Sequence, residues 1–343
     1  MVKAAVIGVG SMGRHHARVY REMETVQLVG VADTNPVAGT RVAGLYGVPH
    51  FADYREMLDA VRPEVVSLAL PTSLHFRVAC ELVDRGIHVL IEKPITSTVE
   101  QASELIALAE QRGVVVSVGH IERFNPVIVE LRNRLERHEL GPIYKVHMQR
   151  LSPYPNRIQD AGVVVDLASH DIDLMRHLIH EPILRIYGET LMTINSERED
   201  AFSGLIRFKS GLMGVLDVNW ITPRKVRNLT ITGAGGMFCC DLIAQELLFY
   251  KNDLATDQWE NLSILRGVSE GNVLGIRIPR YEPLASELAD FIEAVQTGRP
   301  PLITGADGME TLKLALQFVR SGSEHSILSL EDQTAAEPDI QPA

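Results

Sequence analysis

Residues 2–13, VKAAVIGVGSMG, run from an unbroken apolar segment into glycines at 8, 10 and 13. An apolar run of this length closed by glycine reads as a strand buried on both faces, the kind found in parallel sheets covered by helices. A helical pattern follows over 11–23, and a second apolar strand, 27–32, ends at Asp33, twenty residues beyond Gly13. Strand, glycine turn, helix, strand and acid in this order form the dinucleotide-binding fingerprint. Gly8 permits the tight turn, Gly10 lets the backbone approach a pyrophosphate and Gly13 allows close packing of helix on strand. Ser11 and Met12 complete the loop, and the free N–H groups of the helix start face the phosphates. A glycine-rich turn without a ligand is the plainer alternative, which the following helix and the placing of Asp33 disfavour. A carboxylate that binds the ribose 2′-hydroxyl repels a 2′-phosphate, so NAD is expected rather than NADP.

The same texture continues outward. Helices at 36–46, 53–61, 75–85 and 98–112 alternate with strands near 50 and at 64–70, 87–91 and 114–118, which predicts a doubly wound parallel sheet, a Rossmann domain over 1–121. After residue 120 the alternation stops. A helix at 126–138, a strand at 143–151 and a helix at 166–179 precede strands at 183–193, 201–208, 212–220, 227–232 and 237–241, separated by KSG, TPR and GAGG turns. Helices at 284–297 and 308–322 close this part. The second domain, 122–330, is therefore expected to be α+β, built on an open, mostly antiparallel sheet, and to carry substrate binding and oligomerisation. Residues 331–343 lack the apolar residues to order themselves and are expected to form a flexible tail.

A chain of 343 residues is long enough for two cores. Lys and Arg number 33 against 44 Asp and Glu, a net charge of −11 with no long basic block, which excludes a nucleic-acid partner. Cys80, Cys239 and Cys240 offer neither a disulfide framework nor a zinc-type spacing. No apolar run reaches the roughly 18 residues of a membrane span, and the N-terminus lacks a signal-peptide layout, so a cytoplasmic protein without a membrane partner is expected.

Oxidising a secondary alcohol requires a group that takes the hydroxyl proton while hydride leaves the same carbon. Lys93 and His170 are the candidates. Lys93 follows the buried strand 87–91 at the carboxyl edge, where open α/β sheets bind ligands, and Pro94 fixes the turn after it. Its plainer reading is a surface lysine at a strand end. Asp166 and His170 stand four apart on a predicted helix, hence on one face. The plainer readings there are a helix-capping aspartate and a core histidine. Glu92 is placed to orient Lys93 or touch the cofactor. Arg123 has the planar fork suited to a diphosphate. Asn125 and Pro126 read equally as a helix cap and first turn. In the loop 152–157, Tyr154 offers an aromatic face and Arg157 a phosphate partner.

Taken together, GVGSMG (8–13), LPTSLH (70–75), EKP (92–94) and VDLASHDID (165–173) make the chain resemble the Gfo/Idh/MocA oxidoreductases along nearly its whole length. Within them, GHIERFNP (119–126) and residues 162–173 are similar to the branch acting on UDP-N-acetylhexosamines, including UDP-N-acetylglucosamine 3-dehydrogenases. The resemblance implies that Lys93, Asp166 and His170 form the catalytic constellation, with His170 accepting the proton and Asp166 orienting the sugar or the imidazole. It implies that Pro71, Thr72 and His75 lie beneath the nicotinamide ribose and that the 119–126 stretch lines cofactor and substrate. It also implies that no metal is used, although Asp166, His170, Asp173 and His177 imitate a metal-binding face, and that the open sheet pairs into a homodimer or homotetramer. The expected activity is NAD-dependent oxidation of the 3-hydroxyl of a UDP-N-acetylhexosamine. An inositol or free-sugar dehydrogenase, a redox-neutral NAD-using glycosidase and a dinucleotide sensor are the alternatives.

Overall fold

The structure, a computed structural model, describes residues 1–155, 161–194, 197–254 and 268–330. The expected tail, 331–343, lies outside them. Six parallel strands form the first sheet: β1 (Val2–Ile7), β2 (Val26–Ala32), β3 (His50–Phe51), β4 (Val65–Leu68), β5 (His88–Glu92) and β6 (Val116–Gly119), in the order β3-β2-β1-β4-β5-β6. Strand order reverses between β1 and β4, the switch point at which such sheets take ligands. The connections are α1 (Gly13–Glu22), α2 (Pro36–Tyr46), α3 (Tyr54–Val61), α4 (Thr72–Asp84) and α5 (Val99–Arg112). Local chemistry sets their ends. Asn35 accepts from the Val37 and Ala38 amides ahead of α2, Asp53 and Thr98 cap α3 and α5, and Gly47 and Gly113 close α2 and α5 in the left-handed conformation.

The second sheet has nine strands: β7 (Ile143–Leu151), β8 (Ile183–Leu191), β9 (Ala201–Phe208), β10 (Met213–Asn219), β11 (Val226–Gly233), β12 (Gly236–Asp241), β13 (Glu246–Leu254), β14 (Val268–Ile276) and β15 (Leu328–Ser329). Their order is β14-β13-β12-β11-β7-β10-β9-β8-β15, and every pairing except β7 with β10 is antiparallel. One face of this sheet is buried under α6 (Pro126–Glu136) and α7 (Ser169–Leu178), whose Val127, Leu131, Ile172 and Met175 join Met148, Ile206, Leu216 and Phe238 in one core. Gly214 is needed there, because a Cβ would stand 2.5 Å from Met175 Sδ. From Phe202 to the end of β9 burial alternates, Phe202, Gly204, Ile206 and Phe208 facing in and Ser203, Leu205 and Arg207 facing out.

Two elements depart from the sequence reading. The helix expected over 166–179 begins as a π-turn at Val164–Ala168, where the Ser169 amide reaches back to the Val164 carbonyl, and continues as α7. The chain also returns. One compact unit comprises Met1–Phe124 with Glu282–Lys313; the other comprises Asn125–Tyr281 with the chain from Leu314. The continuous boundaries 1–121 and 122–330 place α8 (Pro283–Thr297) in the second domain, whereas its Leu284, Leu288, Phe291 and Ile292 are buried with Val2, Ala17 and Tyr20 of the first. The last helix, α9 (Gly305–Glu324), spans the second crossing point.

Candidate functional site

The carboxyl ends of β1, β2, β4 and β5 gather the expected cofactor residues of the first unit. Gly8 has φ +82, and a Cβ there would stand 2.4 Å from the Ala69 carbonyl oxygen. A Cβ on Gly13 would stand 1.8 Å from the Gly8 carbonyl oxygen, so both glycines are demanded by the turn itself. Gly10 is different. It is exposed and its Cβ would meet nothing, so the protein's own packing does not require glycine there; a group approaching from outside, as a pyrophosphate would, does. Ser11 is exposed beside it. Met12, the N-cap of α1, has no side chain able to cap, which leaves that role open to an anion. Asp33 is held in place by backbone donors, the Val9 amide 2.8 Å from Oδ2 and the Asn35 amide 2.8 Å from Oδ1. Each oxygen keeps acceptor capacity for a ribose hydroxyl, and the carboxylate is half-exposed. These residues fit a dinucleotide.

Beyond β4, Pro71 is the N-cap of α4 and Thr72 its first residue. His75 is buried, with Nδ1 2.9 Å from the Pro94 carbonyl and Nε2 2.9 Å from the Leu70 carbonyl. It ties the loop after β4 to the segment after β5. Burial holds its imidazole below the usual histidine range, against the pull of those two carbonyls. Glu92 closes β5, and half-buried Lys93 follows directly. Glu92 Oε1 lies 2.9 Å from His16 Nε2. Burial raises this carboxyl, but the His16 hydrogen bond and the Lys93 charge prevail and hold it below the usual carboxylate range.

Arg123 and Asn125 have partners in this region that the sequence did not foretell. Arg123 is only 4% exposed, and its guanidinium bonds Asp307 Oδ1 at 3.2 Å and the Leu302 carbonyl at 3.4 Å. Asp307, raised by burial, is nonetheless held low by Arg123 and Thr304. Asn125 is equally buried; its Oδ1 accepts from the Val127 amide at 3.1 Å and its Nδ2 donates to the Leu242 carbonyl at 3.0 Å. It caps α6, as one of its two sequence readings had it.

In the second unit, Asp166 lies in the π-turn and His170 in the first turn of α7, both half-buried. A wider turn advances each residue by less than the α-helical 100°, so residues four apart across it come nearer to eclipse than in a regular helix. The turn therefore keeps Asp166 and His170 on one face. The Glu199 carboxylate caps its start, Oε1 3.3 Å from the Val164 amide, while the Glu199 carbonyl accepts from Val163 at 2.9 Å. Burial pushes this carboxyl up. Arg150 Nε donates to Asp171 Oδ1 at 2.7 Å, both side chains being buried, which pins α7 to β7 beside His170. Tyr154 is half-buried, edge-on to Trp220 with centroids 5.8 Å apart. Arg157 lies outside the described residues. Asp173 and His177 are buried, with His177 Nε2 3.3 Å from Arg132, and among the described residues no three metal-capable side chains cluster.

Sequence reading missed His16, Ser67, Arg150 and Glu199. Ser67 was visible as the lone hydroxyl inside EVVSLAL, and Arg150 as a charge at an inward-facing position of β7.

Comparison with known proteins agrees with this fold. Residues 2–120 match the model of the GFO/IDH/MocA oxidoreductase family, NAD-binding Rossmann fold, and residues 128–239 that of the GFO/IDH/MocA C-terminal domain. UDP-N-acetylglucosamine 3-dehydrogenase of Acidithiobacillus ferrooxidans is 30% identical over 92% of this chain and 96% of its own. A solved structure of that enzyme superposes with a TM-score of 0.80 at 28% identity, covering 93% of this chain and 97% of the other. The scyllo-inositol 2-dehydrogenase (NAD(+)) of Bacillus subtilis is 25% identical over 93% of this chain and 94% of its own. GenD2 from gentamicin A biosynthesis, solved in complex with NAD, has a TM-score of 0.81 at 25% identity, with 96% of each chain covered.

Proposed function

The chain belongs to the GFO/IDH/MocA oxidoreductase family, and from that premise we propose that it is an NAD-preferring dehydrogenase oxidising the 3-hydroxyl of a UDP-N-acetylhexosamine such as UDP-N-acetylglucosamine. Its membership makes it an oxidoreductase acting on CH–OH groups with a nicotinamide cofactor. The nucleotide-sugar assignment is carried by one observation, the end-to-end likeness to the Acidithiobacillus enzyme. Tyr154, with its ring set against Trp220, supports it as a flat partner for a sugar or base.

The cofactor, when bound, supplies the hydride acceptor. Gly8, Gly10 and Gly13 shape the pyrophosphate turn, with Ser11 and Met12 lining it. Asp33, fixed by the Val9 and Asn35 amides, receives ribose hydroxyls and disfavours the 2′-phosphate of NADP. We assign proton acceptance to His170, orientation of the hydroxyl or imidazole to Asp166, and a charged contact to the reacting oxygen to Lys93. Pro71, Thr72, His75 and Glu92 line the cofactor side. The outward face of the nine-stranded sheet supports a homo-oligomer.

The inositol relative favours a second reading, an inositol or free-sugar dehydrogenase. A screen of UDP-sugars, free sugars and inositols, followed by NADH absorbance, separates the two. Remote binding of the UDP group would supply the energy that orients the hydroxyl, so UDP-N-acetylglucosamine should exceed free N-acetylglucosamine in kcat as well as in affinity. Equal or faster reaction of free sugar or inositol would establish the second reading.

A further inference from the structure

A buried line of polar side chains runs from the end of β5 into the Rossmann unit. Glu92 Oε1 is 2.9 Å from His16 Nε2, His16 Nδ1 is 3.0 Å from Ser67 Oγ, and Ser67 Oγ is 2.8 Å from the Tyr20 hydroxyl. His16, Ser67 and Tyr20 are each wholly buried, and only Glu92, at the outer end, touches solvent. Its other carboxylate oxygen lies against Gly119 of β6, where an added Cβ would stand 3.2 Å away. Such a line between α1 and strands β4 and β5 is costly unless each group is satisfied.

The chemistry fixes the direction of the bonds. An ionised carboxylate only accepts, so His16 Nε2–H donates to Glu92. In the neutral imidazole Nδ1 then accepts, and the Ser67 hydroxyl donates to it. With its one proton committed, Ser67 accepts from Tyr20. Every proton has a single place, and the line ends on the carboxylate next to Lys93.

We propose that His16, backed by Ser67 and Tyr20, is a positioning residue that locks the Glu92 carboxylate in place beside Lys93. The proposal rests on the dehydrogenase reading for its consequence in turnover, but not for the line itself. His16 touches neither hydride nor hydroxyl; it acts through Glu92. Other titratable groups face the line from each side: Lys93 and His75 bear on Glu92, His15 on His16 and Glu287 of α8 on Tyr20.

The test uses His16→Ala, His16→Gln and Ser67→Ala, each in the native and the Glu92→Gln background. Glutamine places an amide N–H where the imidazole Nε2–H stood; alanine does not. The first readout needs no substrate: the infrared carboxyl band of Glu92, isolated by difference against Glu92→Gln, is followed through acid titration. Loss of a hydrogen bond to a charged group is expected to move its protonation up by about one pH unit in His16→Ala. Ser67→Ala should show a smaller rise, and His16→Gln should stay near the native protein. The second readout is kcat with the best sugar of the screen. His16→Ala should lower kcat on the order of tenfold, with NAD affinity by calorimetry nearly kept, and should add little once Glu92 is already glutamine. An unmoved carboxyl band in both His16→Ala and Ser67→Ala overturns the proposal, as does an equal kcat loss with and without the Glu92 carboxylate. If no sugar reacts, the dehydrogenase reading fails while the infrared titration still decides the line.

Discussion

Asp33 concentrates the cofactor question in one carboxylate. Two backbone amides hold it, so its orientation does not depend on the ligand, and its charge meets whatever occupies the ribose 2′ position. Calorimetric titration should show NAD binding tighter than NADP, and Asp33→Ser should narrow the difference; tighter NADP binding by the native protein would contradict the reading. Lys93 and His170 carry a separate expectation. Lys93→Ala and His170→Ala should each lower kcat about 100-fold or more while leaving NAD affinity largely intact, because a positioned proton-transfer group contributes at that scale. Asp166→Asn should also lose most activity. Near-native turnover in both Lys93→Ala and His170→Ala would remove these residues from the reaction.

At the scale of elements, what was legible in the sequence is what short-range chemistry decides. The glycine turn is closed within six residues by Gly8 and Gly13, and β1, β2, β4, β5 and β6 announce themselves as apolar runs between helices. The partners of Arg123 and Asn125 were not legible: Asp307 lies 184 residues from one and Leu242 117 residues from the other. The strand β13 was missed because the turn into it carries no glycine or proline; Gln245 takes the left-handed conformation instead, at φ 55. The π-turn ahead of α7 also has no residue signature, since Val164–Ala168 reads as ordinary helix. The Arg150–Asp171 pair ties α7 to β7. Asp171→Asn removes the charge that balances a buried guanidinium and should destabilise the protein by about 3 kcal/mol, measured by urea unfolding. A loss below about 1 kcal/mol would show that α7 is held by its apolar face alone.

On the whole molecule, the outward face of the nine-stranded sheet poses the last question. The register lays its side chains in rows across the strands. One row brings Arg185, Arg207 and Lys145 into line through Met213, the next places Tyr187, Leu205, Val215, His147 and Leu248 together, and the third holds Glu189, Asp217, Asp241 and Glu246. All are exposed or half-exposed in a single chain. A basic row, a mainly apolar row and an acidic row form a self-complementary surface. A two-fold axis lying between two such faces and running along the apolar row sets each basic row over the partner's acidic row and apolar on apolar. An axis running along the strands would instead oppose like charges, so the pattern selects one arrangement. Light scattering at micromolar concentration should therefore find at least a dimer. Replacing Arg185 and Arg207 by glutamate should shift it toward monomer, most strongly at low salt, where charge is least screened. Adding Glu189→Lys and Glu246→Lys to that variant exchanges the rows and should restore association. A native protein that is monomeric under these conditions, or a charge-exchanged variant no better associated than the double glutamate, would leave this face without a second copy of the chain as its partner.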